Sequence, residues 1–259
     1  ALQDRHRELA AHGMPRLVQE FQNAGLEIKP AEADGRWAEL NAPQDLARFV
    51  LGTKADTLER LRPMVTKSLI GEQINFTVSE WRVDKRGVMD RIREKFGAQD
   101  LAIRSSSMAE DTWANSNAGS FTSLLDVPGS DAVRLEASVD QVAASYSQGI
   151  GDDQVLVQSM VKEVVRHGVV LTRTLNHGAP YYTLNFDDSA SGGTESVTSG
   201  YGHDLRTVVI HRSATEGVLA RDPGISPILQ AVIEIEEQVG HDALDVEFAI
   251  TRDDAVHVL

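Results

Sequence analysis

Residues 103–111 read Ile-Arg-Ser-Ser-Ser-Met-Ala-Glu-Asp, and after a short gap residues 118–127 read Ala-Gly-Ser-Phe-Thr-Ser-Leu-Leu-Asp-Val. The β-rich run Leu101-Ala-Ile-Arg104 leads into the hydroxyls, with a glycine further on. Arg104 therefore sits at a strand end. A guanidinium fork matches phosphate oxygens, and successive backbone N–H groups of such a loop can form an anion-binding concavity. The same stretch also reads as an N-capped turn, so its neighbours decide.

Before it, Val88, Met89, Ile92 and Phe96 form a helical stripe that Gly97 closes. After it, Val133, Leu135, Val139, Val142 and Tyr146 mark another helix. Residues 155–161, 168–172 and 181–186 are β-rich runs bounded by turn residues. Ser226 and Pro227 read as N-cap and first position of a helix that Gly240 ends. Leu244 to Ile250 and Ala255 to Leu259 read as a hairpin around Arg252-Asp-Asp254, and Pro15 to Ala24 as a short amphipathic helix. Helices and strands mixed without a regular βαβ beat predict an α+β fold.

The chain has 259 residues, no cysteine and a formal charge of −14. The length suffices for a sizeable core in one large domain or two subdomains. An acidic chain with 5% aromatics fits nucleic acid poorly, since that affinity comes largely from phosphate neutralisation and base stacking. No apolar run nears the ~18–20 residues that span a bilayer, and no signal peptide is visible. The lack of cysteine fits a reducing compartment, and the expected location is cytoplasmic.

Four further constellations stand out. In Asp245-Val-Glu-Phe-Ala-Ile250, strand alternation puts Asp245, Glu247 and Ala249 on one face and Val246, Phe248 and Ile250 on the other. Two carboxylates about 6.7 Å apart along one strand face can share Mg²⁺ bound to a polyphosphate, although a solvated strand face has the same pattern. Gly168-Val-Val-Leu-Thr-Arg173 ends a β-run on a cation, a setting suited to phosphate. Gly192-Gly-Thr-Glu-Ser-Val-Thr-Ser-Gly200 permits close backbone approach to a ligand, with Glu195 able to orient a base, ribose or metal. Lys54, in Leu51-Gly-Thr-Lys-Ala-Asp-Thr-Leu58, follows a glycine and by itself reads as a surface residue.

Taken in order, these motifs resemble the ATP-binding domain of the phosphoenolpyruvate synthase and pyruvate phosphate dikinase family, an ATP-grasp module. That family carries Arg-Ser-Ser-(Ser/Ala)-x-x-Glu-Asp, an Ala-Gly loop, Val-Gln-x-Met-Val, Ser-Gly-Val-x-Phe-Thr-Arg-x-Pro, a Gly-x-Gly-Glu loop and Asp-(Ile/Val)-Glu-(Phe/Trp)-Ala. The likeness spans about residues 50 to 259. It implies a two-subdomain nucleotide-binding fold in which Lys54, Arg104 and Arg173 hold the transferring phosphates. Gly119 and Ser120 would form a lid loop over the triphosphate. Gln158, Met160 and Val161 would face adenine at the hinge, Thr172 and Glu195 would contact the nucleotide, and Asp245 and Glu247 would bind Mg²⁺. Departures from the pattern are Ser120 and Thr122 for Gln and Asp, Thr53 and Ala55 for two glycines, His167 for Ser, and Leu175 for Pro.

The resemblance implies an ATP-dependent phosphotransferase of the dikinase type. ATP would leave AMP after transfer to a phosphohistidine on a swivelling domain, and a further domain would supply an acceptor such as pyruvate. None of the eight histidines has the Gly-Gly-x-x-(Ser/Thr)-His setting of that phosphohistidine, so the chain is expected to support a half-reaction. The family's closing Gln-x-Arg would follow Leu259, which implies a fragment. The expected organisation is a lead segment over 1–47 and two ATP-grasp subdomains over 48–150 and 151–259. The stretch Arg36-Trp-Ala-Glu-Leu-Asn-Ala-Pro-Gln-Asp-Leu46 resembles the end of a nucleotidyltransferase domain. That admits a glutamine kinase of phosphoramidate synthesis fused to a cytidylyltransferase. An ATP-grasp ligase and a non-catalytic nucleotide-binding module are the remaining alternatives.

Overall fold

The computed structural model describes residues 18–19, 21–25, 52–107, 122–146, 153–175, 177–188 and 205–259. Two compact units are present, Ala1–Asn41 and Ala42–Leu259. In the first, Val18, Gln19 and Phe21 to Asn23 are helical, as the amphipathic pattern predicts. Gly25 ends the turn at φ 77°, its N–H bonded to Gln22 O.

Among the described residues the second unit contains ten strands in two sheets. The smaller sheet has four strands in the order β2 (Gln73–Thr77), β5 (Gln154–Ser159), β3 (Asp100–Ser106), β4 (Ser123–Pro128). The larger has six, in the order β1 (Leu69–Ile70), β10 (Val256–Val258), β9 (Asp245–Thr251), β6 (Val164–Leu171), β7 (Tyr181–Asp187), β8 (Arg206–His211). The β1–β10 pair is parallel and the other ladders are antiparallel. The fold is α+β, as expected.

Each sheet has one apolar face covered by helices. On the small sheet, Phe76, Leu101, Ile103, Val155 and Val157 pack against α2 (Val78–Val83), α3 (Lys85–Phe96) and α4 (Ala132–Ala144). The predicted stripe of Val88, Met89, Ile92 and Phe96 is buried there, and Gly97 at φ 58° stops α3. In α4 the stripe is Leu135, Val139 and Val142. Val133 is 81% exposed instead, because Leu135, Val139 and Val142 already fill the inward stripe at helical spacing. Tyr146 lies beyond the helix, and its hydroxyl accepts from Ser106 N and donates to Gln154 O.

On the large sheet, Val170, Leu184, Phe186, Val246, Phe248 and Ile250 form the second core. Helix α1 (Lys54–Leu61) and helix α6 (Ser226–Val239) contribute to it, with α5 (Thr215–Arg221) packed on α6. Burying each such side chain stabilises the fold by roughly 1.5–3 kcal/mol. Gly240 ends α6 in the left-handed region at φ 70°, as predicted. The predicted start is one residue late. Ile225 is the N-cap and Ser226 is already helical, while Asp222 supplies the capping acceptors. Its carboxylate takes Gly224 N and Ile225 N and its carbonyl takes Ser226 N, which leaves the Ser226 hydroxyl to donate to Leu219 O.

Candidate functional site

The second face of the small sheet is polar. Opposed residues of adjacent strands share a face, so the ladder puts Gln73, Asn75, Arg104, Ser106, Gln154 and Gln158 on the side away from the helices. Leu156 shares that side and joins the larger core. A sheet face carrying this many polar groups, with Gln73, Ser106 and Gln158 buried, costs stability unless something satisfies them. Helix α1 does part of this. Ala55 N donates to Ser106 Oγ at 2.9 Å, Gln73 Nε2 to Ala55 O at 2.7 Å, and Thr53 Oγ1 to Gln154 Oε1 at 2.9 Å. Two buried groups on this face, Gln73 Oε1 and Arg104 Nε, have no partner among the described residues.

The start of α1 is fixed locally. Gly52 takes φ 73°, a conformation open to glycine. Thr53 then forms a capping box with Asp56: its hydroxyl accepts from Asp56 N, and the Asp56 carboxylate accepts from Thr53 N. Lys54 thus emerges as the first helical residue, facing the large sheet. Its Nζ lies 2.9 Å from Glu247 Oε2, and Arg104 Nη1 lies 3.0 Å from the same oxygen. Lys54, Arg104 and Glu247, drawn from a helix and both sheets, therefore meet at one atom. Burial pushes the Glu247 carboxyl upward, but the charges of Lys54 and Arg104 outweigh it and hold the group at about 2.

Asp245 and Glu247 share a face of β9, as alternation predicts, and Val246, Phe248 and Ile250 are buried on the other. Asp245 is exposed and stands opposite Leu171 of β6. Just past that rung, Thr172 N donates to Leu244 O and the Thr172 hydroxyl accepts from Leu244 N. Arg173 follows at the same end of the sheet, where Nη2 pairs with the Asp242 carboxylate and Nη1 donates to Gly178 O at 2.8 Å. Lys54, Arg104 and Glu247 are thus in direct contact, whereas Arg173 is engaged with the segment around Asp242.

Mg²⁺ typically retains several waters and is held by one or two carboxylates plus phosphate oxygens. Asp245 and Glu247 on one strand face meet that donor set. Among the described residues no group of three or more His, Cys, Asp or Glu forms a closed cage.

Gln158 is buried on the polar face, and Met160 and Val161 follow it, half-buried, on the short link into β6. Met160 N is bonded to Asp100 O. Thr172 is fully buried. Gly119, Ser120 and Glu195 lie outside the described residues, as do residues 36–46. His167, which stands where the resembling family has Ser, is buried opposite Asp187. Burial lowers its pKa, against the opposing charge of Asp187.

Sequence reading missed Gln73 and Gln154. Their signal is the alternation of Gln73-Ile-Asn-Phe76 and Gln154-Val-Leu-Val-Gln158, with polar groups recurring every second or fourth position within β-runs. It also missed Arg212, Tyr182, Glu236 and Asp242, which are scattered in sequence and meet only in the fold.

No helix among the described residues is long and apolar enough to cross a membrane. No protein-family model matches the sequence, and no curated protein is detectably similar to it. Among solved structures, the chain is similar to the D-alanine-D-alanine ligase from Coxiella burnetii, with 16% identity and a TM-score of 0.44 over 82% of this chain and 47% of that one. Likeness to D-alanyl-alanine synthetase A from Vibrio cholerae has 13% identity and a TM-score of 0.46, covering 82% and 55%. For the VanG D-Ala:D-Ser ligase from Enterococcus faecalis the figures are 14%, 0.42, 83% and 52%. The chain spans about half the length of these ligases.

Proposed function

We propose that the chain is an ATP-grasp-type, ATP-binding phosphoryl-donor module of a dikinase-type phosphotransferase. The observation that carries this reading is the convergence of Lys54 and Arg104 on Glu247 Oε2, beside a buried polar sheet face with unpartnered groups. Two fixed cations and a carboxylate held ionised suit a polyphosphate with its metal.

The assignments run along the strands. Lys54 and Arg104 bind and neutralise the phosphates, and Arg173 adds a third cation when it exchanges Asp242 for a phosphate oxygen. Gln158, Met160 and Val161 line the base and ribose side, and the family resemblance assigns nucleotide contacts to Gly119, Ser120 and Glu195 as well, which lie outside the described residues. Asp245 and Glu247 would hold Mg²⁺, which supplies charge neutralisation between phosphate oxygens. The work of the chain's own residues is positioning and electrostatics, as in phosphoryl transfer generally. The two outer phosphates pass together to a histidine on a swivelling domain, leaving AMP. The terminal one is then released or passed to inorganic phosphate, and the phosphoryl group left on the histidine goes to an acceptor domain's small-molecule substrate.

The test is to incubate the protein, together with the histidine-bearing domain that accepts from it, with ATP and Mg²⁺ and separate the nucleotides. AMP is the expected product. Accumulation of ADP overturns the dikinase assignment, and lack of ATP binding by calorimetry overturns the whole reading.

A further inference from the structure

Where β6 and β9 leave their ladder, side chains take over the backbone bonding. The chain begins at Glu236, a buried carboxylate on α6. It accepts from the Tyr182 hydroxyl at 2.7 Å and pairs with the Arg212 guanidinium. That guanidinium lies 4.4 Å over the Tyr182 ring, so its orientation is set by stacking as well as by charge. Its Nη2 donates to Thr172 O at 2.9 Å and to Asp242 O at 3.1 Å. The Thr172 hydroxyl donates to the same Asp242 carbonyl at 2.8 Å and accepts from Leu244 N at 2.7 Å. One guanidinium nitrogen therefore ties the residue after β6, which Arg173 follows, to the segment leading into β9, which begins at Asp245.

A buried ion pair is weak evidence for stability, since its desolvation offsets much of the attraction; its best-attested use is to fix one geometry among several. Here that geometry is the spacing of two segments whose next residues are Arg173 and Asp245. We propose that Arg212 and Glu236 are positioning residues that set this joint and so align Arg173 and Asp245 for a metal-bound polyphosphate. The alignment for metal rests on the reading given under Proposed function; the setting of the joint does not.

Two readouts on the full chain test it. Arg212→Lys keeps the charge but loses the planar two-point pairing with Glu236 and the stacking on Tyr182 that aim Nη2 at both carbonyls. Glu236→Gln keeps the shape but loses the charge that orients the guanidinium. First, amide hydrogen exchange at Leu244 and Asp245 should speed up in both variants beyond the change in global stability. Second, calorimetry gives the ATP dissociation constant with and without Mg²⁺. The tightening that Mg²⁺ produces should shrink roughly tenfold in both variants, as for residues that orient metal ligands, while metal-free ATP binding through Lys54 and Arg104 changes far less. If exchange at Leu244 and Asp245 only follows global stability, and Mg²⁺ tightens binding as in the native protein, the pair is merely structural and the proposal fails. If the native protein binds no ATP, the nucleotide reading fails on its own, and exchange still decides whether Arg212 sets the joint. Should Glu236→Gln not fold, Arg212→Lys alone decides both.

Discussion

Lys54 Nζ lies 2.9 Å from Glu247 Oε2, although 193 residues separate the two in sequence. The pair closes the gap between the start of α1 and the face of β9 that carries Asp245 and Glu247, and Arg104 joins it from the smaller sheet. Removing the carboxylate leaves two cations near each other, one of them on a largely buried arginine. Glu247→Gln should therefore lower stability at neutral pH by about 2 kcal/mol, the size expected of a partly screened charge cluster. Thermal unfolding measures it.

The same residue predicts an acid signature. The Glu247 carboxyl titrates at about 2 in the folded protein, against an ordinary value of 4.5. A depressed folded pKa gives stability that is fully present above the unfolded value and is lost as pH falls through the folded one. The native protein should thus lose this contribution between about pH 4.5 and about pH 2. In Glu247→Gln the slope of unfolding free energy over that window should be shallower; identical slopes would show that the triad is not formed in solution.

Thr53→Ala removes the acceptor for Asp56 N and the donor to Gln154, two of the bonds that place the start of α1. Loss of an N-cap side chain costs about 0.5–2 kcal/mol. Because Lys54 is the next residue, ATP affinity should fall as well, whereas Thr53→Ser should retain most of both. Parallel melting curves and calorimetry distinguish a cap from a bystander.

The distance between what sequence and structure show has a physical cause. Local rules sufficed for α3, where a four-residue stripe meets Gly97, and for β9, where alternation separates Asp245 and Glu247 from Val246, Phe248 and Ile250. They failed at Ser226, because the capping acceptors come from Asp222, four residues earlier, and at Val133, whose exposure depends on which helical stripe already fills the interface. Lys54 was legible as a candidate only through resemblance and Arg104 also through its place after a β-run, but no local pattern says that they face one carboxylate. The Arg212, Tyr182 and Glu236 network left no local trace, because its members lie on three elements and each reads singly as an ordinary residue.

Gly168 offers a packing test beside the site. It pairs with Phe186 and Phe248 in the centre of the larger sheet. A Cβ there would sit 2.3 Å from Asn185 O and 2.6 Å from Phe186 Cβ. The first contact is to backbone and has no rotamer to yield, so β6 and β7 must part. Gly168→Ala should destabilise by several kcal/mol, beyond the ~1–3 kcal/mol usual for overpacking, and reduce soluble yield. Near-native melting would show that the β6–β7 ladder has more slack than the register indicates.

Arg104 provides the sharpest separation of charge from geometry. Its Nη1 is committed to Glu247, while its Nε is buried and without a partner among the described residues. A donor left unsatisfied in this way costs about 1–3 kcal/mol, and an anion that accepted from it would recover that cost on binding. Arg104→Lys keeps a cation within reach of Glu247 but has no second donor in fixed geometry. The acid dependence set by Glu247 should therefore survive in Arg104→Lys. ATP affinity should fall by roughly tenfold, the equivalent of about 1.4 kcal/mol. Arg104→Met should lose both the affinity and part of the acid dependence. If Arg104→Lys binds ATP as the native protein does, the unpartnered Nε plays no part in the site, and Arg104 serves only to hold Glu247 in place.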